Sequence, residues 1–153
     1  MQALELRIPP PIVALAVAVV MWGISKATPS LEMPGLIRIT TVIAIALTGI
    51  GVALSGVIAF RHAKTTVNPL KPETASSIVT SGVFRFTRNP MYVGLALVLL
   101  AWAVFLSSPW ASLGLPAFIL YMNRFQIVPE ERVLSRMFGT EYSAYRARVR
   151  RWL

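Results

Sequence analysis

The chain has 153 residues, which suits one compact domain, and 56% of them are hydrophobic while only 14% are charged. A typical soluble domain is about 25% charged, so lipid is the expected solvent for this chain. The net charge of +9 comes from Lys and Arg residues that cluster between apolar stretches, a pattern typical of membrane proteins that argues against nucleic-acid binding. The absence of cysteine excludes disulfides, thiolate nucleophiles and cysteine-bound metals.

Charged residues mark two apolar spans within residues 1–60. Roughly 18 uncharged residues separate Arg7 from Lys26, just enough to cross a bilayer. No cleavage site with a soluble mature domain follows, so we interpret this run as a retained first span. About 22 uncharged residues separate Arg38 from Arg61 and predict a second, full-length span.

The second span contains Gly49, Gly51 and Gly56. Their spacing does not match a dinucleotide-binding fingerprint, and no strand–loop–helix context surrounds them. Small residues at such spacing are typical of membrane helices that pack closely. We therefore predict a packing role for these glycines.

The segment from Arg61 to Arg88 is polar and basic, and its prolines and serines predict a long loop that carries function. Roughly 35 uncharged residues follow, too many for one span. A Ser-Ser-Pro sequence at 107–109 interrupts them. We predict a helical hairpin with arms at about 90–106 and 110–127.

Beyond Pro129 the sequence becomes charged. Its apolar positions from Val133 to Tyr145 have the spacing of an amphipathic helix, with a break at Gly139. The basic end at 146–153 is typical of an interfacial anchor.

Together these segments predict an all-α integral membrane protein with about four transmembrane helices. The last two form the hairpin, and a C-terminal cytoplasmic amphipathic helical segment follows it. Residues 1–153 make a single membrane domain, with two spans in 1–60 and the loop, hairpin and tail in 61–153. Most Lys and Arg lie in the loop and tail, and the positive-inside rule places both on the cytoplasmic face of the inner membrane.

Three polar clusters, at 65–69, 80–94 and 130–145, meet on that face. Each has an ordinary structural explanation when taken alone. Asn89-Pro90 has the pattern of a helix N-cap followed by a proline in the first turn. The negative charges of Glu130-Glu131 suit the positive end of the helix dipole. Arg88 and Arg124 suit the membrane interface. The lone His62 has no carboxylate neighbours, so no metal site is predicted.

The combination of these clusters is more specific, and it resembles the isoprenylcysteine carboxyl methyltransferase family. The matching sequences are Arg88-Asn89-Pro90-Met91-Tyr92-x-Gly94 and, after the hairpin, Glu130-Glu131-x-x-Leu134-x-x-x-Phe138-Gly139-x-x-Tyr142-x-x-Tyr145. Thr65-Thr66-x-x-Pro69 and Val79-x-x-Gly82-x-Phe84-Arg85 are similar to bacterial members. The resemblance covers residues 60–153.

The resemblance implies a membrane enzyme that uses S-adenosylmethionine without a Rossmann domain. The residues that it places around the cofactor are Val79, Gly82, Arg88, Asn89, Pro90, Tyr92, Gly94, Glu130 and Glu131. The two glutamates would accept hydrogen bonds from the cofactor's amino or hydroxyl groups, and Arg124 would orient the carboxylate of the acceptor. Eukaryotic members have histidine where this chain has Asn89, so the expected acceptor extends to other small apolar acids.

Methyl transfer to a lipophilic carboxylate needs no general base, because the acceptor is already ionised, and catalysis comes mainly from holding the reactants in line. Three alternatives stay open. A phospholipid N-methyltransferase would need a base, with Glu130, Glu131 and His62 as candidates. A membrane sterol or enone reductase would bind NADPH, and a non-enzymatic protein would only pack with membrane partners. The expected partners are a lipophilic small molecule and membrane lipids.

Overall fold

The computed structural model describes residues 5–63 and 70–153. These residues form five α-helices: α1 (Pro10–Ala27), α2 (Gly35–His62), α3 (Pro90–Leu106), α4 (Gly114–Tyr121) and α5 (Val128–Arg148). Short 3-10 turns cover Pro72–Thr74, Gly82–Arg85 and Ala111–Leu113, and a π-helical turn at Met122–Ile127 joins α4 to α5. No β-strand forms in the described ranges, so the all-α prediction is confirmed.

Two helices are long and apolar enough to cross a membrane. α1 has 18 residues with a mean hydropathy of 1.6, and α2 has 28 residues, of which an 18-residue stretch has a mean hydropathy of 2.4. Most of their large apolar side chains are exposed, as expected where lipid replaces water. α3 is a shorter apolar helix of 17 residues. The structure thus supports two of the four predicted spans by length and composition.

The hairpin after α3 turns where the sequence predicted. α3 ends at Leu106, and the next residue, Ser107, has a φ of 50°, in the left-handed region that stops a helix. The 3-10 turn then reverses the chain, and α4 returns along α3. The second arm differs from the prediction, because it is not one α-helix ending near residue 127. Instead, α4, the π-helical turn and α5 form a continuous helical run.

The π-helical turn explains how the helix continues through Pro129. The N–H of Val128 bonds to the carbonyl of Asn123, five residues earlier, so the turn is wider than an α-helical one. Pro129 has no N–H to donate to the carbonyl of Phe125, four residues before it. That carbonyl accepts the N–H of Leu6 at 3.0 Å. The segment before α1 therefore satisfies an acceptor that the proline leaves free.

Glycines bring α2 and α3 into close contact, as predicted for Gly49 and Gly56. A Cβ atom on Gly94 would lie 2.6 Å from both the Cβ of Ala53 and the carbonyl oxygen of Gly49. A Cβ on Gly56 would lie 2.9 Å from the Pro90 ring. Gly51 has nothing within 4 Å of its Cβ position and takes no part in this contact. The prediction of a packing role is therefore wrong for Gly51.

A second buried cluster joins α1, α3, α4 and the π-helical turn. Its most buried members are Met21, Leu99, Phe118 and Met122, each no more than 2% exposed. Contacts at the two ends of this bundle show which segments of the chain meet there. Thr28 bonds to Ser108 at one end, and Arg88 donates its N–H to the carbonyl of Arg150 at the other. The loop before α3 and the end of the chain therefore meet at one end of the bundle.

α5 bends sharply at Gly139, as the sequence predicted. The residue has a φ of 50° and a ψ of −118°, a combination that is open to glycine and costly for other residues. The bend folds the second half of α5 back, so that Tyr142 and Tyr145 are buried beside the start of α3. This bend completes the enclosure of a cleft at the loop end of the bundle.

Candidate functional site

The cleft lies where α2 ends, α3 begins and α5 bends. Its polar lining comes from Ser77, Arg88, Asn89, Glu130, Glu131 and the two tyrosines of α5. Its apolar lining includes Phe60, Val79, Phe84, Met91, Ile127 and Leu134. Concave sites with an apolar wall and a few convergent polar groups are the usual setting for cofactor binding.

Two arginines converge on the carboxylate of Glu131. Arg151 forms a bidentate pair with it, with Nε 3.1 Å from Oε1 and Nη2 2.7 Å from Oε2. Arg88 places Nη1 3.1 Å from Oε1. The Glu131 side chain is 9% exposed and the Arg88 side chain 10% exposed, so this cluster is held away from solvent.

The guanidinium of Arg88 has N–H donors that make no hydrogen bond to the described residues. Its Nε and Nη1 atoms are buried and make no hydrogen bond within the described part of the chain, although Nη1 lies close enough to Glu131 to form an ion pair. A buried donor without a partner costs about 1–3 kcal/mol, so natural proteins rarely leave one without a reason. A ligand that brings an acceptor, such as a carboxylate, fits this position.

Asn89 does not act as a simple helix cap. Its side chain makes no capping hydrogen bond to α3. Instead Nδ2 donates to the carbonyl of Arg151 at 2.9 Å, while its N–H donates to Oγ1 of Thr87 at 3.2 Å. The amide therefore ties the start of α3 to the end of the chain.

Glu130 lies beside Glu131 in the cleft but has different partners. The hydroxyl of Tyr92 donates to its Oε2 at 3.0 Å, and none of the ion pairs among the described residues includes it. Burial raises the pKa of Glu130 to about 7; the bond from Tyr92 opposes the rise, and the charge of Glu131 adds to it. A carboxyl group with such a pKa can exchange a proton near neutral pH.

This pKa predicts a pH-dependent stability. Because the pKa of Glu130 rises from 4.5 to about 7 on folding, its favourable contribution is fully present below pH 4.5 and is lost as the pH rises through 7. Between pH 5 and 8, the wild-type free energy of unfolding should fall by up to about 3 kcal/mol relative to Glu130→Gln. Denaturant unfolding of both proteins in detergent measures the difference, and parallel pH curves would contradict the prediction.

The aromatic wall of the cleft links three segments of the chain. The rings of Phe60 and Phe84 meet edge to face with centroids 5.0 Å apart. The hydroxyl of Tyr145 donates to the carbonyl of Phe84 at 2.8 Å. Burial raises the pKa of Tyr142 to about 12, so this hydroxyl stays protonated at neutral pH. These rings offer flat apolar faces to a planar base or a cationic centre.

Seven of the ten residues predicted from the sequence lie together. Val79, Arg88, Asn89, Glu130 and Glu131 line the cleft, and Pro90 and Tyr92 line a small cavity that adjoins it. The predicted threonine cluster at 65–69 lies outside the described residues.

The other three predicted residues lie elsewhere. Gly82 is exposed at the start of its 3-10 turn with a φ of 60°. Gly94 is buried in the contact between α2 and α3. The side chain of Arg124 is 45% exposed, and its Nη1 donates to the carboxylate of Glu5 at 2.9 Å. Arg132 binds the same carboxylate at 3.3 Å, so two arginines hold Glu5.

Sequence reasoning missed the part that the chain end plays in the cleft. The basic residues at 146–153 were interpreted only as an interfacial anchor, yet Arg151 reaches Glu131. Phe60, at the end of the second span, was also missed. No local pattern distinguishes Arg151 from its basic neighbours, because its role depends on a contact with a residue in another segment.

A comparison with known families is consistent with this geometry. A sequence model described as phospholipid methyltransferase matches residues 37–141, which are 105 of the 153 residues. The chain therefore belongs to the phospholipid methyltransferase family, which overlaps the isoprenylcysteine-type membrane methyltransferases. A curated relative, an uncharacterized protein of Haemophilus influenzae, is 51% identical over 63 residues, which are 41% of this chain and all of the relative. No solved structure matches the chain.

Family membership sets the general chemistry. It implies an enzyme that transfers a methyl group from S-adenosylmethionine to a lipid, and it leaves the acceptor undefined. Together with the two long apolar helices, it indicates a membrane location.

Proposed function

We propose that this protein transfers a methyl group from S-adenosylmethionine to a lipophilic acceptor, and that the cleft is its active site. One observation carries the proposal: the Arg88 guanidinium with its unused donors, the buried carboxylate of Glu131 and the half-buried carboxyl group of Glu130 converge in a cleft with aromatic walls. S-adenosylmethionine has a carboxylate, an ammonium group, ribose hydroxyls and a planar base. Each of these groups has a complement among the cleft side chains.

The fit suggests how the residues share the cofactor. The free donors of Arg88 would bind its carboxylate in a charge-assisted contact. Glu131 and Glu130 would accept from its ammonium or hydroxyl groups, and Phe60 and Phe84 offer faces for the base. Val79, Gly82, Asn89, Pro90, Tyr92 and Gly94 remain in the proposed cofactor set from the family resemblance, with Gly94 and Asn89 acting through the position of α3.

The bound cofactor supplies an electrophilic methyl group on a sulfonium, and the protein supplies alignment. In-line displacement needs the acceptor held opposite the leaving sulfur, so positioning provides most of the catalysis. The membrane is the natural place for this reaction, because a lipid acceptor need not leave the bilayer. We extend the proposal to four spans, with α3 and the second hairpin arm as the last two, and to a cleft that faces the cytoplasm, because the basic loop and tail surround it.

We propose a carboxylate acceptor, of the isoprenylcysteine type or another small apolar acid. Arg124 would bind this carboxylate, as the family resemblance implies. The support is that Arg124 and Arg132 already hold a carboxylate, that of Glu5. Arg124 lies outside the cleft lining, so in this proposal its guanidinium leaves Glu5 and turns toward the cleft, where the bound carboxylate oxygen meets the methyl group.

A second candidate is an amine of a phospholipid headgroup, and Glu130 favours it. An ammonium group must lose a proton before it can attack the methyl group. Glu130 lies in the cleft, carries no ion pair within the described residues and has a pKa of about 7. The carboxylate of Glu131, by contrast, is already engaged in ion pairs with two arginines. Among the three candidate bases, Glu130 is therefore the one that we propose.

Label transfer from S-adenosylmethionine tests the proposal and separates the acceptors. The purified protein, reconstituted in lipid, is incubated with methyl-labelled cofactor and either a prenylated cysteine or phosphatidylethanolamine. Label in the lipid phase that mild alkali releases as methanol identifies a methyl ester and a carboxylate acceptor. Alkali-stable label identifies an N-methyl product.

Three controls accompany this experiment. Asn89→Ala should lower the rate at least tenfold, since it releases the start of α3 from the chain end. Calorimetric titration with S-adenosylhomocysteine tests the cofactor without an acceptor, and titration with NADPH tests the reductase alternative. A folded protein that binds NADPH and not S-adenosylhomocysteine would overturn the proposal. Binding of neither would favour the non-enzymatic alternative.

A further inference from the structure

The last residues of the sequence, 150–153, run alongside the segment that leads into α3. Thr87 and Arg150 form an isolated parallel bridge, and the N–H of Arg88 donates to the carbonyl of Arg150 at 3.0 Å. The carbonyl of Arg151 accepts from the side chains of Asn89 at 2.9 Å and Thr87 at 3.3 Å. We call residues 150–153 the clasp.

The clasp is also fixed on its other side. Nε1 of Trp152 donates to Oδ1 of Asn123 at 3.0 Å, and its ring packs against the buried cluster that includes Met122. The clasp therefore connects the start of α3 to the π-helical turn before α5. It thus links the start of α3, beside Arg88 and Asn89, to the turn from which α5 carries Glu130 and Glu131.

The side chain of Arg151 points from the clasp to Glu131. Its Nε donates to Oε1 and its Nη2 donates to Oε2, an arrangement that fixes the rotation of the carboxylate as well as its position. Arg88 also lies near Glu131 but makes no hydrogen bond through Nε or Nη1 within the described residues. Because Arg151 supplies two hydrogen bonds to the glutamate, the Nε donor of Arg88 stays unused among the described residues, while its Nη1 remains within ion-pair distance of Glu131.

We infer that Arg151 is a positioning residue for the cofactor site: it orients Glu131 and leaves the unused Nε donor of Arg88 available to the ligand. The inference rests on the proposed cofactor. It also explains why one side chain of the basic segment at 146–153 reaches the buried carboxylate of Glu131. Arg150, by contrast, contributes only its backbone to these contacts and has an exposed side chain.

Titration of the full-length protein with S-adenosylhomocysteine tests the inference. Arg151→Ala should weaken binding roughly 10- to 100-fold, the loss expected for a charge-assisted hydrogen-bonded pair. Arg151→Lys keeps the charge without the fork and should recover part of the affinity. Arg150→Ala is the matched control and should bind within about twofold of wild type.

A double-mutant cycle distinguishes positioning from a general loss of structure. If Arg151 acts through Glu131, then Arg151→Ala should cost less than about twofold in a Glu131→Gln background. An equal loss in both backgrounds, a wild-type affinity in Arg151→Ala, or an equal loss in Arg150→Ala would overturn the inference. Arg151→Lys provides the measurement if the alanine variant does not fold.

Failure of the proposed cofactor gives a different result. Wild-type protein would then show no binding of S-adenosylhomocysteine. Hydrogen exchange at the Arg88 amide, which donates to the clasp, still reports on the clasp in that case. Arg151→Ala should speed that exchange at least tenfold while Arg150→Ala leaves it unchanged, and equal exchange in all three proteins would overturn the structural part of the inference.

Discussion

Replacing Glu131 with alanine should weaken the binding of S-adenosylhomocysteine at least 100-fold. The substitution removes the carboxylate that Arg88 and Arg151 share and leaves the guanidinium of Arg88 buried without an anion. Breaking a buried ion pair from one side costs about 3–5 kcal/mol, and about 2.7 kcal/mol already corresponds to about 100-fold in affinity. Repulsion between the two arginines would add to the loss.

Calorimetric titration in detergent measures this effect. Glu141→Ala is a suitable control, because Glu141 lies on the same helix, is exposed and makes no ion pair among the described residues. It should bind as the wild type does. An affinity for Glu131→Ala within threefold of wild type, in a folded protein, would remove Glu131 from the cofactor site.

Replacing Gly94 with valine should strongly destabilise the packing of α2 against α3. Even the Cβ would come 2.6 Å from the backbone carbonyl of Gly49, so the two helices would have to separate. Overpacking of a rigid contact costs about 1–3 kcal/mol and more where backbone must move, so we expect the free energy of unfolding to fall by about 3 kcal/mol. Because α3 carries Arg88 and Asn89 at its start, the cofactor site should weaken as well.

Gly51→Val is the matched control for this prediction. Gly51 lies on α2 only two residues from Gly49, but no atom lies within 4 Å of its Cβ position. Its substitution should leave the midpoint of thermal unfolding in detergent nearly unchanged. Equal midpoints for the two variants would show that the glycine contact contributes little to the bundle.

The sequence was most informative about elements that local composition determines. Charged residues at the ends of apolar runs predicted α1 and α2, and the interruption at 107–109 predicted the end of α3. Gly139 predicted the bend in α5, because few other residues adopt its backbone conformation. The π-helical turn was not predicted, since Pro129 alone indicates a break and not the wider turn that avoids one.

The cleft was predicted in part, through motifs rather than through contacts. The motifs correctly predicted that Asn89 and Glu131 lie close together. They could not show which side of α3 the motif residues at its start face. Gly94 lies two residues after Tyr92 and therefore turns away from it, toward α2. The pairs Arg151–Glu131 and Glu5–Arg124 join segments that are distant in sequence, so no local pattern could indicate them.

The π-helical turn at Met122–Ile127 also determines the direction in which the side chains of α5 point around the helix axis. Each residue of a helix advances the chain by about 100°, so a turn that holds one extra residue rotates everything after it by that angle. Without the widening, Glu130 and Glu131 would face about a quarter-turn away from Tyr92 and Arg88, toward the surface of the bundle. The acidic pair reaches the cleft through a single-residue change in helical register, made just before the chain leaves its apolar segment.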